Sequence, residues 1–249
     1  NSTDLPEMTN NIVTVNGMIT NGFIHPGVGI TKEQLENVRT QVRSEKEPWY
    51  SYYKNMAVSS YGSREFSCNN GTVDENGNDV PKSSAYNDKG TKDRAIADGK
   101  RAFTQAILYV ITGDVLYREN AMRIIRIWEQ LDPDQYAYFS DAHIHAGEGL
   151  YQMVMAAEIL RYTESDLDGE WAWNETDTEK FIANVVDPSF STFLNTNTAF
   201  MNQHNFPLTG TIAAAIFKSD IEDYAKRVEW TTVNATAPDP YKTGSIQQV

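Results

Sequence analysis

The chain has four histidines, His25, His143, His145 and His204, and two of their surroundings hold residue types that chemistry needs. Phe200-Met201-Asn202-Gln203-His204-Asn205-Phe206 sets three amide side chains around one imidazole, between aromatics. Amides and an imidazole can neutralise a carboxylate without adding a full positive charge, and a positioned imidazole can take a proton. The same composition also suits a polar turn between helices with a satisfied histidine. Ser140-Asp141-Ala142-His143-Ile144-His145 carries a His-x-His pair. On a strand both rings would share a face, as metal ligands do. Here the pair precedes a helical pattern, with no third and fourth ligand at useful spacing, so no metal is expected. Contacts to a substrate at a helix start, or plain structural histidines, are the remaining readings of His143 and His145.

Other templates fail. The chain has no G-x-S-x-G, no G-x-G-x-x-G, no Walker loop and no C-x-x-C, so no cofactor is implied. A carboxylate pair for glycoside hydrolysis stays open, with Asp98, Asp141 and Glu148 next to helix ends.

The 249 residues suffice for a large core, and 40% hydrophobic with 11% aromatic content is that of a folded globular protein. Lys and Arg number 21 against 34 Asp and Glu, a net charge of −13 that repels polyanions at long range. Nucleic acid is not an expected partner. No run of 18 apolar residues and no basic amphipathic face is present, so no membrane association is expected. Cys68 has no second cysteine in the chain to pair with. It is a lone thiol or the partner of a cysteine elsewhere. Sequons at Asn1, Asn70, Asn174 and Asn234 point to a secreted, extracellular glycoprotein.

The elements that must position these residues are helices. Residues 1–22 are a polar, irregular lead-in. Thr31 and Gln34 form a capping box for a first helix with Leu35, Val38 and Val42 on its stripe. Pro48 opens a second helix. Ala95 to Ile111 is a long helix that stops at Gly113. Asp114 caps its antiparallel neighbour, which carries Tyr117, Ala121, Ile124, Ile125 and Trp128. Further helices are expected over about 147–163, after a capping box at Thr176 and Glu179, around Phe190, over 207–217, and after Asp220. Few stretches alternate with period 2, so no substantial sheet is expected. The class is all-α, built of antiparallel helical hairpins. The end at Val249 has no tail-like character and reads as an element cut short.

Residues 59–92 break the helical pattern and are expected to be a long loop, either a lid over a binding groove or a glycosylated loop that touches no substrate. In the lid reading Tyr61, Arg64 and Tyr86 contact the ligand, the tyrosines by stacking on sugar faces. From Lys82 to Arg101 six basic residues, Arg94 and Lys100 among them, face three Asp. Residues 158–187 hold nine acids against two bases. The expectation is a locally basic groove from the first segment with Arg64, and a distant face for the acids.

Several of these stretches together resemble the alginate-lyase-like polysaccharide lyases, whose fold is the chondroitin AC/alginate lyase type of α/α toroid. They are Phe23-Ile24-His25-Pro26-Gly27 with Thr31-Lys32-Glu33-Gln34-Leu35, Asp98-Gly99-Lys100-Arg101-Ala102, and Tyr109-Val110-Ile111-Thr112-Gly113-Asp114 with Tyr117. Trp128, Met155-Ala156-Ala157-Glu158-Ile159-Leu160-Arg161 and Asn202-Gln203-His204 complete the set. The last resembles the family's Asn-Asn-His signature. The resemblance covers residues 23–249 and implies the N-terminal part of a toroid domain that continues beyond residue 249, an incomplete α/α toroid here. It implies β-elimination on 4-linked uronic-acid polymers, alginate or glucuronan, an anionic polysaccharide. His204 is then the base or a charge stabiliser, and Asn202 and Gln203 neutralise the carboxylate. Gln203 departs from the family's second Asn. The catalytic tyrosine is then Tyr241 or a residue beyond Val249. The expected substrate contacts come instead from the lid, the basic segment and the histidine pair: Arg64, Tyr61, Tyr86, Arg94, Lys100, His143 and His145. The alternatives are an α/α-barrel glycoside hydrolase using Asp and Glu, and a non-catalytic uronate-binding domain.

Overall fold

A computed structural model describes residues 5–197, 199 and 201–232. Asn1, Asn234 and Tyr241 lie outside the described residues, as does the expected element at Val249. Helix makes up 61% and strand 8%, so the all-α class holds.

The capping signals act largely where the sequence places them. Helix α1, Lys32–Arg43, opens on the reciprocal box between Thr31 and Gln34. Pro48 is the N-cap of α2, Trp49–Val58. Helix α3, Lys89–Thr112, begins well before Ala95 because Asp88 accepts the Thr91 N–H. It ends at Gly113, whose φ of 73° is natural to glycine. Asp114 then caps α4, Val115–Trp128. Helix α5, Ala142–Arg161, starts ahead of Gly147 and takes in both His143 and His145. The capping box of α6, Glu175–Phe181, belongs to Asn174 and Asp177 rather than to Thr176 and Glu179. That helix runs on through wide π turns at Ile182–Val186 and Phe190–Leu194, either side of α7, Asp187–Ser189. Helix α8, Asn202–Lys218, absorbs the amide-rich stretch into its first turn, and Asp220 accepts the Asp223 N–H to start α9, Ile221–Thr232.

Strands are short and paired in twos. β1, Thr14–Val15, pairs with β6, Thr163–Glu164, and β2, Met18–Thr20, with β3, Phe23–His25, so the lead-in is partly ordered strand. The stretch from 59 to 92 is no structureless loop. It holds a 3-10 turn at Ser60–Gly62 and a hairpin of β4, Gly71–Val73, and β5, Asp79–Pro81. Arg123 fixes the hairpin by a bidentate pair with Asp79, and Gln105 holds the carbonyls of Tyr61 and Ser63. The buried Asp98 carboxylate accepts from the Asn69 and Asn70 amides, the Cys68 thiol and the Trp128 indole. Burial, then the Asp98 charge, pushes the Cys68 thiol up, which suppresses thiolate chemistry.

Three helices lie side by side and parallel. Gly149 of α5 meets Ala95 of α3 near their starts, while Tyr109, turns later in α3, donates to Asp168 beyond the end of α5. Gly147 of α5 meets Phe206 and Gly210 of α8 near their starts, and Arg161 reaches Phe217 near their ends. α4 returns antiparallel to α3 and α9 antiparallel to α8. Aligned dipoles place three carbonyl-rich ends together, and each receives an arginine. Arg43 donates to Ile111 and Thr112, Arg118 to Leu160 and Thr163, and Arg161 to Phe217. Among the described residues no helix is long and apolar enough to cross a membrane.

At that carbonyl end His25 is fully buried. Its Nδ1 lies 2.6 Å from Glu158 Oε1 and its Nε2 2.9 Å from Ser219 Oγ, and the ring stacks on Tyr162. The imidazole ties β3 to the ends of α5 and α8. His25→Ala would leave the buried Glu158 with only the Gly27 N–H on Oε1 and no partner for Oε2 among the described residues, and is expected to cost about 3–5 kcal/mol in urea unfolding.

A second buried carboxyl, Glu129 at the end of α4, is held by no ion pair among the described residues. Burial, reinforced by the Asp177 carboxylate and opposed by Arg126 and Lys180, pushes it up to about 8. The folded form therefore keeps this proton where the unfolded chain, titrating near 4.5, has lost it. Stability from this group falls as pH climbs from about 4.5 to about 8. Glu129→Gln removes the penalty. Its thermal midpoint is expected to match wild type at pH 4 and to exceed it increasingly towards pH 8.

Candidate functional site

The amide-rich stretch sits where the parallel row begins. His204 is 1% exposed, and its Nε2 lies 3.1 Å from the Trp230 carbonyl of α9. A carbonyl only accepts, so Nε2 carries the hydrogen, and in the neutral ring Nδ1 is left with its lone pair. That atom is buried without a partner among the described residues. Burial lowers the His204 pKa, against a smaller opposite effect of the Trp230 carbonyl, so the neutral form is favoured. Asn202 and Gln203 precede it in the same turn and are exposed.

Gly147 brings a second group to this end. A Cβ there would stand 2.2 Å from the Phe206 carbonyl oxygen, a contact only hydrogen permits. His143 and His145 lie in the turn just before it, half-buried on a helix rather than paired on one face of a strand. Burial lowers the His143 pKa, with Asp141 raising and His145 lowering it. Its Nδ1 is 2.8 Å from the hydroxyl of Tyr138, and the two rings stack at 13°. Tyr138 is 57% exposed, and burial, then Asp141, raises its pKa, so the phenol stays protonated. Tyr138 carries one signal in the sequence, its place as an aromatic five residues before the histidine pair. The first half of α3 supplies Arg94 and Lys100 to the same end of the row.

Other expected contacts fall elsewhere. Arg64 pairs with Asp114 at the start of α4, hence at the opposite end of the molecule from His204. Tyr61 lies under Arg101 against the middle of α3. Tyr86 is no sugar platform: it is buried among Trp128, Tyr136, Phe139 and Phe193. Asn70 is fully buried, its Nδ2 donating to Ser83 and its Oδ1 accepting from Arg94, which leaves no room for a glycan. Asn174 is exposed.

The basic segment is largely engaged within the protein. Lys92 pairs with Asp93, Lys100 with Glu148, Arg94 with Asn70 and Thr91, and Arg101 with the Ser60 carbonyl. A groove of unpaired cations is therefore not what this end offers. Its positive potential comes from three helix starts, whose amide ends are equivalent to about half a charge each. Of the acid-rich stretch, Glu158 and Asp187 sit against the far ends of α5 and α8, Asp168 on Arg118 and Asp177 on Arg126. Asp98, with four donors on it, has no capacity left for general acid or base work. Among the described residues no group of three or more His, Cys, Asp or Glu is placed to hold a metal.

The arrangement offers a lone-pair imidazole, two exposed amides and a histidine-bound phenol at the positive end of parallel helices. No protein-family model and no curated protein matches the chain.

Gly147→Ala must part the starts of α5 and α8. Overpacking of this kind costs about 1–3 kcal/mol. The variant is expected to unfold at lower urea concentration, with faster amide exchange in the first turns of both helices.

Proposed function

We propose that the chain belongs to a secreted polysaccharide lyase that cleaves 4-linked uronic-acid polymers, alginate or glucuronan, by β-elimination. The resemblance of its motifs to alginate-lyase-like enzymes suggested the class. One observation carries it furthest: His204 has its Nε2–H committed to a carbonyl and an unpartnered Nδ1 lone pair, at the end where three helix starts converge. A row of parallel helices with antiparallel returns is also the repeating unit of a two-layer α/α toroid.

In the reaction the C5 proton is acidic only when the neighbouring carboxylate is neutralised. The exposed amides of Asn202 and Gln203 donate to that carboxylate, helped by the amide ends of α5 and α8. His204 Nδ1 takes the C5 proton. The C5–H pair forms the C4=C5 double bond, and the C4–O4 bond breaks with its pair on the leaving sugar. The protonated phenol of Tyr138, held by His143, returns a proton to O4. Nδ1 is closed to solvent, so the substrate must part the side chains over it on binding. The hydrolase alternative lost Asp98 to its four donors.

The test is ultraviolet absorbance of the unsaturated product made by the full-length protein on alginate and on glucuronan. His204→Ala is expected to lower turnover about 10²–10⁴-fold, and Asn202→Ala about 10²–10³-fold, with folding retained. Tyr138→Phe is expected to slow leaving-group departure and flatten the alkaline limb of the pH profile. Reducing ends without ultraviolet absorbance would indicate hydrolysis, binding without turnover a non-catalytic domain, and either would overturn the proposal.

A further inference from the structure

We propose that Asn174 carries an N-linked glycan whose first N-acetylglucosamine folds back into a cavity between the end of α4 and the start of α6. The inference rests on the secretory reading of the chain, not on the lyase reading, so either can fail alone.

The cavity measures about 600 Å³, within the range of about 300–1,000 Å³ that holds small ligands. All three residues of the sequon, Asn174, Glu175 and Thr176, line it. So does Glu129, which is 4% exposed and whose Oε1 has no partner among the described residues. A buried carboxyl oxygen without a donor is costly and calls for a hydroxyl or an amide N–H. Arg126 has four of its five N–H donors on Asp177 and on the Glu170 and Ala172 carbonyls, and makes no hydrogen bond to Glu129 among the described residues. A hexosamine brings both kinds of donor, and its acetamide oxygen accepts from Lys180, which also lines the cavity.

The local chemistry allows the modification. Asn174 Oδ1 accepts the Asp177 N–H as the cap of α6, leaving Nδ2 to be joined. The sugar donor is a lipid-pyrophosphate-linked oligosaccharide. Nδ2 loses a proton to a base and bonds to C1, and the C1–O bond breaks, its pair leaving with the lipid pyrophosphate. The amide carbonyl survives, so the cap survives with it. Asn70 has the same sequon pattern and the opposite surroundings: its Nδ2 is buried and already donating.

The test uses full-length protein secreted from a eukaryotic host. Enzymatic deglycosylation in ¹⁸O-water followed by peptide mass spectrometry is expected to label Asn174 and not Asn70. Trimming the glycan to its first sugar is expected to leave the thermal midpoint unchanged. Thr176→Ala, which keeps the Asn174 cap but ends the sequon, should lower it by about 2–4 °C. Complete enzymatic removal, which leaves Asp at 174 and so keeps a cap, should lower it equally. An unmodified Asn174 overturns the proposal. So does a modified one whose midpoint is the same with one sugar and with none.

Discussion

Parallel alignment of α3, α5 and α8 is the constraint on which the rest depends. Three helix dipoles side by side repel at both ends, and the chain answers each end differently. At the carbonyl ends it spends Arg43, Arg118 and Arg161 directly on terminal carbonyls. At the amide ends carboxylates offset part of the positive potential: the Asp88 cap, Asp93 paired with Lys92, Asp141 at the start of α5, and Glu148 paired with Lys100. Glycines 99, 147, 149 and 210 make the close approach possible, because side chains there would meet backbone or neighbouring side chains. The three dipoles thus share one direction, with their amide ends gathered at the end of the molecule that holds His204.

Much of the helical frame was legible, for reasons that are local. A capping box is a reciprocal pair of hydrogen bonds three residues apart, so Thr31 with Gln34 can be read without a tertiary structure. Gly113 and Asp114 are equally local. The box at Asn174 was misplaced by two residues because Thr176 with Glu179 satisfies the same pattern, and only packing of Asp177 on Arg126 decides between them. The start of α5 was missed since Asp141 offers no side-chain cap and adopts a left-handed φ of 62°. The order in residues 59–92 depends on Asp98 of α3 and on Arg123 of α4, which holds Asp79, and no local pattern reveals either.

The site was legible as a list of types and not as a place. Amides beside His204 stood out by composition, but its tautomer follows from Trp230, which is distant in sequence. Arg64 looked like part of a basic groove until Asp114 claimed it. Tyr86 looked like a platform because an exposed and a buried tyrosine share one letter. Tyr138 gained meaning only from its bond to His143. Charge counting along the chain failed in the same way, since most of the bases of residues 82–101 are engaged within the protein, Lys92 by its own neighbour Asp93 and Lys82, Arg94, Lys100 and Arg101 by partners from other elements.

The histidine tie at the far end bears on how the chain is made. His25 finds its last partner in Ser219, 194 residues later. At about 5–20 residues per second of synthesis, the N-terminal hairpin waits some 10–40 s for that contact. Its strand pairing β2 with β3 is local and can form at once, but Phe23 does not meet its edge-on partner Tyr224 until α9 emerges. Nascent chains of intermediate length therefore carry a Phe23 without that partner and an unsatisfied imidazole, the kind of surface that general chaperones hold.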